Sequence, residues 1–121
     1  MCYLCARIDK NWRELAMIIY NTTYTVPNED ARDFVIWIHQ AMIPEALSGG
    51  KLAKPRLLRI LSHRDPDTEC FSLQLETQST AMLHKWFAEK GNRMQQELDK
   101  LFDKRVAYFS TIMEVVSEEE E

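Results

Sequence analysis

Glycine and proline are scarce in this chain, three and four among 121 residues, which excludes collagen-like and low-complexity architectures. Its three cysteines, Cys2, Cys5 and Cys70, form no disulfide framework and suit a reducing compartment. No apolar run approaches the ~20 residues of a membrane span, nor the apolar core of about 7–15 residues that a secretory signal needs. A cytoplasmic location without membrane contact is therefore expected. Positive charge is not in excess either: 15 basic residues face 19 acidic ones, and the terminal glutamates Glu118 to Glu121 account for the whole net charge of −4. A near-neutral body gives bulk charge no hold on a polyanion, so no nucleic-acid partner is expected. What remains is 45% hydrophobic and 28% charged, the composition of one globular domain.

The first sixteen residues mix isolated apolar side chains with Arg7, Asp9, Lys10, Arg13 and Glu14 and show no period. Residues 1–16 read as an extension that adds nothing to fold stability. The domain then spans 17–116, with Met17 its start and a candidate start of the protein, and 117–121 form a solvated acidic tail. From Ile18 to Val26 the residues are almost all β-branched or aromatic and predict a strand. Ile18, Tyr20, Thr22, Tyr24 and Val26 share one face of it, and Ile19, Asn21, Thr23 and Thr25 the other. Asn28 is suited to cap a helix with Glu29 and Asp30 in its first turn. The apolar stripe Ala31, Phe34, Val35, Trp37, Ile38, Ala41 and Met42 follows, until Pro44 ends or kinks the helix.

A second strand is expected from about Lys54 to His63, and a turn at Asp65-Pro66-Asp67 leads into a third, in which Phe71, Leu73 and Leu75 alternate with Cys70, Ser72, Gln74 and Glu76. The short turn makes the two strands a hairpin. Ser79 or Thr80 caps a second helix running to about Asp103, with the stripe Leu83, Trp86, Phe87, Met94, Leu98, Leu101 and Phe102. Gly91 falls on that stripe, where it costs ~1 kcal/mol against alanine, so close contact with the sheet or the other helix is the expected reason for it. A fourth strand follows in VAYFSTIMEVV. The order β-α-β-β-α-β predicts an α+β, ferredoxin-like fold: a four-stranded antiparallel sheet in the order 4-1-3-2 with two helices on one face.

No chemical motif stands out. Cys2 and Cys5 make a CxxC without the strand-to-helix context of a redox site or the further ligands of a zinc site. His39, His63 and His84 share no ligand spacing, so no metal and no cofactor are expected. Lys51, Lys54, Arg56, Arg59 and Arg64 could bind an anion, but edge protection and pairing with neighbouring acids explain them more simply. The open sheet face is expected to show Ile19, Asn21, Thr23, Thr25, Leu57, Arg59, Leu61, Cys70, Ser72, Gln74, Glu76, Tyr108, Ser110 and Ile112, lacking the stacking aromatics of an RNA-binding sheet. That partly apolar surface invites a cover.

The stretches MIIYNTTYTV, IPEALSGGKL, PRLLRIL, FSLQLET and RVAYFSTIMEVV occur in an order and spacing that resembles a small bacterial family, domain of unknown function 4286, from Met17 to about Val116. In that family a histidine often precedes the Ile-Pro pair, where this chain has Met42. The resemblance implies no activity. It implies a fold similar to the dimeric α+β barrels, which pair two open sheet faces about a two-fold axis. The expected function is a homodimeric ligand-binding or interaction domain without catalysis, taking a small molecule near Asn21, Arg59, His63, Gln74 and Tyr108. The alternative is a small barrel enzyme resembling cofactor-independent monooxygenases, with Tyr108, His63, Arg59 or Asn21 in a pocket beside the sheet.

Overall fold

The computed structural model describes residues 17–118; the expectations for the first sixteen residues, Cys2 and Cys5 among them, and for the last three glutamates lie outside it. Strand β1 (Ile18–Pro27) alternates strictly, one face buried and the other half-buried, as its β-branched and aromatic residues dictate. It runs at the centre of a four-stranded antiparallel sheet in the order β2-β3-β1-β4, with β2 spanning Ala53–Arg59, β3 Thr68–Thr77 and β4 Ala107–Glu114. Two helical rods cover one face of this sheet, which makes the fold ferredoxin-like.

Each rod consists of two α-helical segments joined by a π-turn. In the first, a 3₁₀ turn (Asn28–Asp30) leads into α1 (Ala31–Trp37), and a π-turn (Ile38–Met42) connects α1 to α2 (Ile43–Leu47). The Ile43 N–H reaches back five residues to the Ile38 carbonyl. This wide turn lies directly ahead of Pro44, whose ring would crowd a regular turn and whose nitrogen has no proton to give, so the proline widens the helix without ending it. The second rod comprises α3 (Thr80–Trp86), a π-turn (Phe87–Gly91) and α4 (Asn92–Leu101). Ser79 caps α3, its hydroxyl accepting from the Met82 N–H at 3.1 Å. Asn28 does not act as a cap: its side-chain amide donates to the Pro66 carbonyl at 2.7 Å and ties the first rod to the β2–β3 loop.

Beneath the rods lies an aromatic core. Phe34 has no exposed surface and meets Tyr24, Phe71, Phe102 and Trp37, with ring centroids 4.9, 5.5, 6.3 and 6.5 Å away. Of the second stripe, Leu101 is exposed, and Phe102, one turn beyond Leu98, carries the buried position instead. Gly91 is buried, and the atoms nearest to where its Cβ would stand belong to the Trp86 and Phe87 rings of its own rod.

The edge strands differ from the sequence reading in two respects. Strand β2 stops at Arg59, with one further bond from the Ile60 N–H to the Cys70 carbonyl, so Leu61 and His63 belong to a loop and the β2–β3 turn is longer than the Asp65–Asp67 segment. The faces are also exchanged. Tyr108, Ser110 and Ile112 stand opposite Tyr24, Thr22 and Tyr20, and therefore on the side of the helices; Leu57 and Arg59 stand opposite Leu73 and Phe71, on that same side. The open face instead carries Ala107, Phe109, Thr111 and Met113 from β4 and Arg56 and Leu58 from β2, beside Ile19, Asn21, Thr23 and Thr25 of β1 and Cys70, Ser72, Gln74 and Glu76 of β3.

Arg105 closes the fold by donating from Nε and Nη2 to Asp30 Oδ2 and Oδ1, at 2.9 and 3.0 Å, fastening the start of α1 to the approach to β4. These hydrogen bonds hold the Asp30 carboxyl below its ordinary value against the opposing effect of desolvation. A carboxyl whose folded pKa is depressed contributes stability above its unfolded pKa and loses it as pH falls through the folded value. Urea unfolding of the native protein is therefore expected to weaken below about pH 4 more steeply than that of Arg105→Gln, the two curves converging at the acid end. Parallel curves across that range would show that the pair carries no pH-dependent stability.

Candidate functional site

The five residues that the sequence offered as ligand contacts do not converge. Asn21 and Gln74 are neighbours across β1 and β3 on the open face, where Asn21 donates to Thr23 Oγ1 at 3.2 Å and accepts from the Ser72 hydroxyl. Arg59 lies at the far edge, 3.8 Å from Glu69 and with its guanidinium carbon 5.7 Å from the centre of the Phe71 ring. His63 is in the loop beyond, its Nε2 2.7 Å from Thr68 Oγ1. Thr68 gives its own proton to Asp65, at 3.0 Å, so the His63 Nε2–H is the donor of that contact and the trio organises a turn. The basic strip is likewise drawn into pairs: Lys51 with Glu89 at 3.3 Å and Lys54 with Glu76 at 3.6 Å. Among the described residues no group of three or more His, Cys, Asp and Glu is disposed to hold a metal ion, and no helix is long and apolar enough to cross a membrane.

Of the five, Gln74 lines a hollow of about 260 Å³ with Ile19, Lys54, Arg56 and Glu76, and Tyr108 enters a separate, larger cleft. This cleft, of about 350 Å³, opens where β4 runs out from under the second rod. Its roof is Leu83 and His84 of α3, Phe87 of the π-turn and Gln95 of α4; its floor is Tyr20 of β1 with Tyr108, Phe109, Ser110 and Ile112 of β4. Rods seated over β1 and β3 leave the β4 edge partly uncovered, and Ile112 is 47% exposed although it faces the helical side. Tyr108 donates to Asp99 Oδ2 at 3.3 Å; burial first, then the Asp99 carboxylate, push its phenol above the ordinary value. Desolvation raises the deeper Tyr24 as well, with the Thr22 hydroxyl opposing. Both phenols are thus protonated donors near neutrality.

At the back of the floor three hydroxyls meet: Ser110 Oγ is 3.2 Å from Tyr20 Oη and 3.0 Å from Thr22 Oγ1. Behind them a hollow of about 10 Å³, walled by Tyr20, Thr22, Trp86, Phe87 and Gln95 among others, adjoins the cleft. The buried Trp86 Nε1–H has no acceptor among the described residues. Sequence reasoning missed this cluster because it placed Ser110 on the opposite face. The available signal was Thr22, a polar residue in the row of β1 that the helices cover.

With this geometry the chain can be set beside known proteins. Its fold is that of a dimeric ferredoxin-like protein from an uncultured marine organism, at 15% identity and a TM-score of 0.67 over 85% of this chain and 98% of that one. It is similar in the same way to a putative antibiotic biosynthesis monooxygenase from Bacillus cereus, at 13% identity and a TM-score of 0.59 over 88% and 99%. A de novo designed protein shares the architecture too, at 10% identity and a TM-score of 0.56 over 80% and 96%. At such identities the likeness is one of fold alone. No curated protein matches the sequence. A family model does, over residues 17–116: the chain belongs to the family described as Domain of unknown function (DUF4286).

Proposed function

We propose that this protein is a homodimeric ligand-binding domain, two copies joining through their open sheet faces and each holding a small molecule in the cleft under its second rod. The observation that carries the reading is the exposure of Phe109 and Met113, 61% and 40%, on an open face whose polar row is already hydrogen-bonded within itself. Covering those side chains removes apolar surface from water, and a two-fold axis lets the same patch serve both partners. Phe109 also borders the cleft, so a partner seated on the open face would finish its rim. The dimeric description of the marine fold relative supports the same assembly. Of the residues considered for the enzymatic alternative, only Tyr108 reaches the cleft, which favours binding over catalysis.

Light scattering at micromolar concentration is expected to give twice the chain mass. Thr23→Asp, a charge in the middle of the open face, should halve it while circular dichroism stays native; Gln40→Asp, on the exposed surface of the first rod, should leave the dimer intact. A monomer mass for the unmodified protein would overturn the assembly.

A further inference from the structure

The hydroxyl cluster at the back of the cleft has a definite proton count. Tyr20 and Thr22 both contact Ser110. Three hydroxyls joined by two hydrogen bonds leave one proton over. Tyr20 and Thr22 are each at most 5% exposed, whereas Ser110 is open to the cleft. A buried hydroxyl proton left without an acceptor destabilises the fold. The arrangement that strands none has both Thr22 and Tyr20 donating to Ser110. The spare proton is then the one on Ser110, presented to the cavity.

We propose that the cleft takes a neutral aromatic carbonyl compound whose oxygen accepts this hydrogen bond. The inference rests on the reading of the cleft as a ligand site and specifies its ligand. Tyr20, Phe87 and Tyr108 offer ring faces and edges to a flat apolar body. The volume lies within the ~300–1,000 Å³ range of small-molecule sites. Among the described residues no lysine or arginine lines the cleft, and Asp99 stands beside it behind Tyr108, so a carboxylate ligand would meet repulsion without a fixed counter-charge.

The test compares propiophenone with propylbenzene, which has the same ring and chain but no oxygen, by titrating each into the full-length protein and following the amide resonances of residues 108–112 by NMR. Propiophenone is expected to bind about tenfold more tightly. Ser110→Ala should abolish that difference by weakening propiophenone alone, and Ser110→Thr, which returns a hydroxyl, should restore it. Benzoate should bind more weakly than propiophenone. Equal affinities for the two neutral probes in the native protein, or tighter binding of benzoate, would overturn the ligand class and leave the cleft a binding site. Failure of every probe to move these resonances would remove the binding site itself.

Discussion

Phe34→Ala is expected to lower the unfolding free energy by about 3–5 kcal/mol, the ordinary cost of deleting a buried phenylalanine. The ring is fully enclosed and touches side chains from every layer of the fold: Tyr24 of β1, Phe71 of β3, Trp37 of its own helix and Phe102 at the end of the second rod. These neighbours are rigid rings held by separate elements, so they cannot close over the space by a simple rotamer change, and the cavity cost persists. Against a total of about 5–15 kcal/mol for a domain of this kind, the variant would stand close to its unfolding threshold. Urea denaturation measures the loss directly. Ile36→Ala, two residues along the same helix and 39% exposed, supplies the comparison and should cost well under half as much. A loss below about 1 kcal/mol for Phe34→Ala would mean that the aromatic cluster does not hold the layers together.

The second large effect runs against helix propensity. Alanine at position 91 would gain about 1 kcal/mol from its backbone preference alone. Its Cβ, however, would stand 2.7 Å from Trp86 Cζ3 and 2.7 Å from Phe87 Cδ2, closer than carbon atoms can approach. Trp86 is 1% exposed and has nowhere to turn. Overpacking of this kind costs about 1–3 kcal/mol, so Gly91→Ala should destabilise by up to about 2 kcal/mol net. Phe87 is the less buried of the two and roofs the cleft, so its resonances should shift in the variant even where the fold survives. An increase in melting temperature would show that the rings yield freely.

The contrast between central and edge strands explains what was legible in the sequence. In β1 and β3 one row is clearly apolar or aromatic and the other clearly mixed, so their faces, the strand order and the helical cover could all be read. Strand β4 offers Ala107, Phe109, Thr111 and Met113 on one side against Tyr108, Ser110 and Ile112 on the other, two rows of nearly equal hydrophobicity. In β2 the adjacent Leu57 and Leu58 leave the same ambiguity. Period alone cannot orient such strands; cross-strand register does, and register belongs to tertiary structure. Since the cleft is built from β4, the error in face carried Ser110 away from it. The first helix was legible in its stripe but not in its π-turn, because widening a turn ahead of Pro44 changes hydrogen bonding without disturbing which residues are apolar.

The sheet order has a consequence for how the chain is made. Strand β1 is the first strand in chain order and the central one in the sheet, yet one of its two neighbours is the last, and the contact between Tyr20 and Ser110 joins positions 90 apart. At ribosomal rates of about 5–20 residues per second, roughly 4–16 seconds pass between the synthesis of β1 and that of β4. Throughout that interval the β4-facing edge of β1 has no partner from its own chain. Its sequence from Ile18 to Val26 contains no charge, glycine or proline, the composition that stacks readily with copies of itself. Solubility of the nascent chain therefore depends on how promptly its final strand arrives.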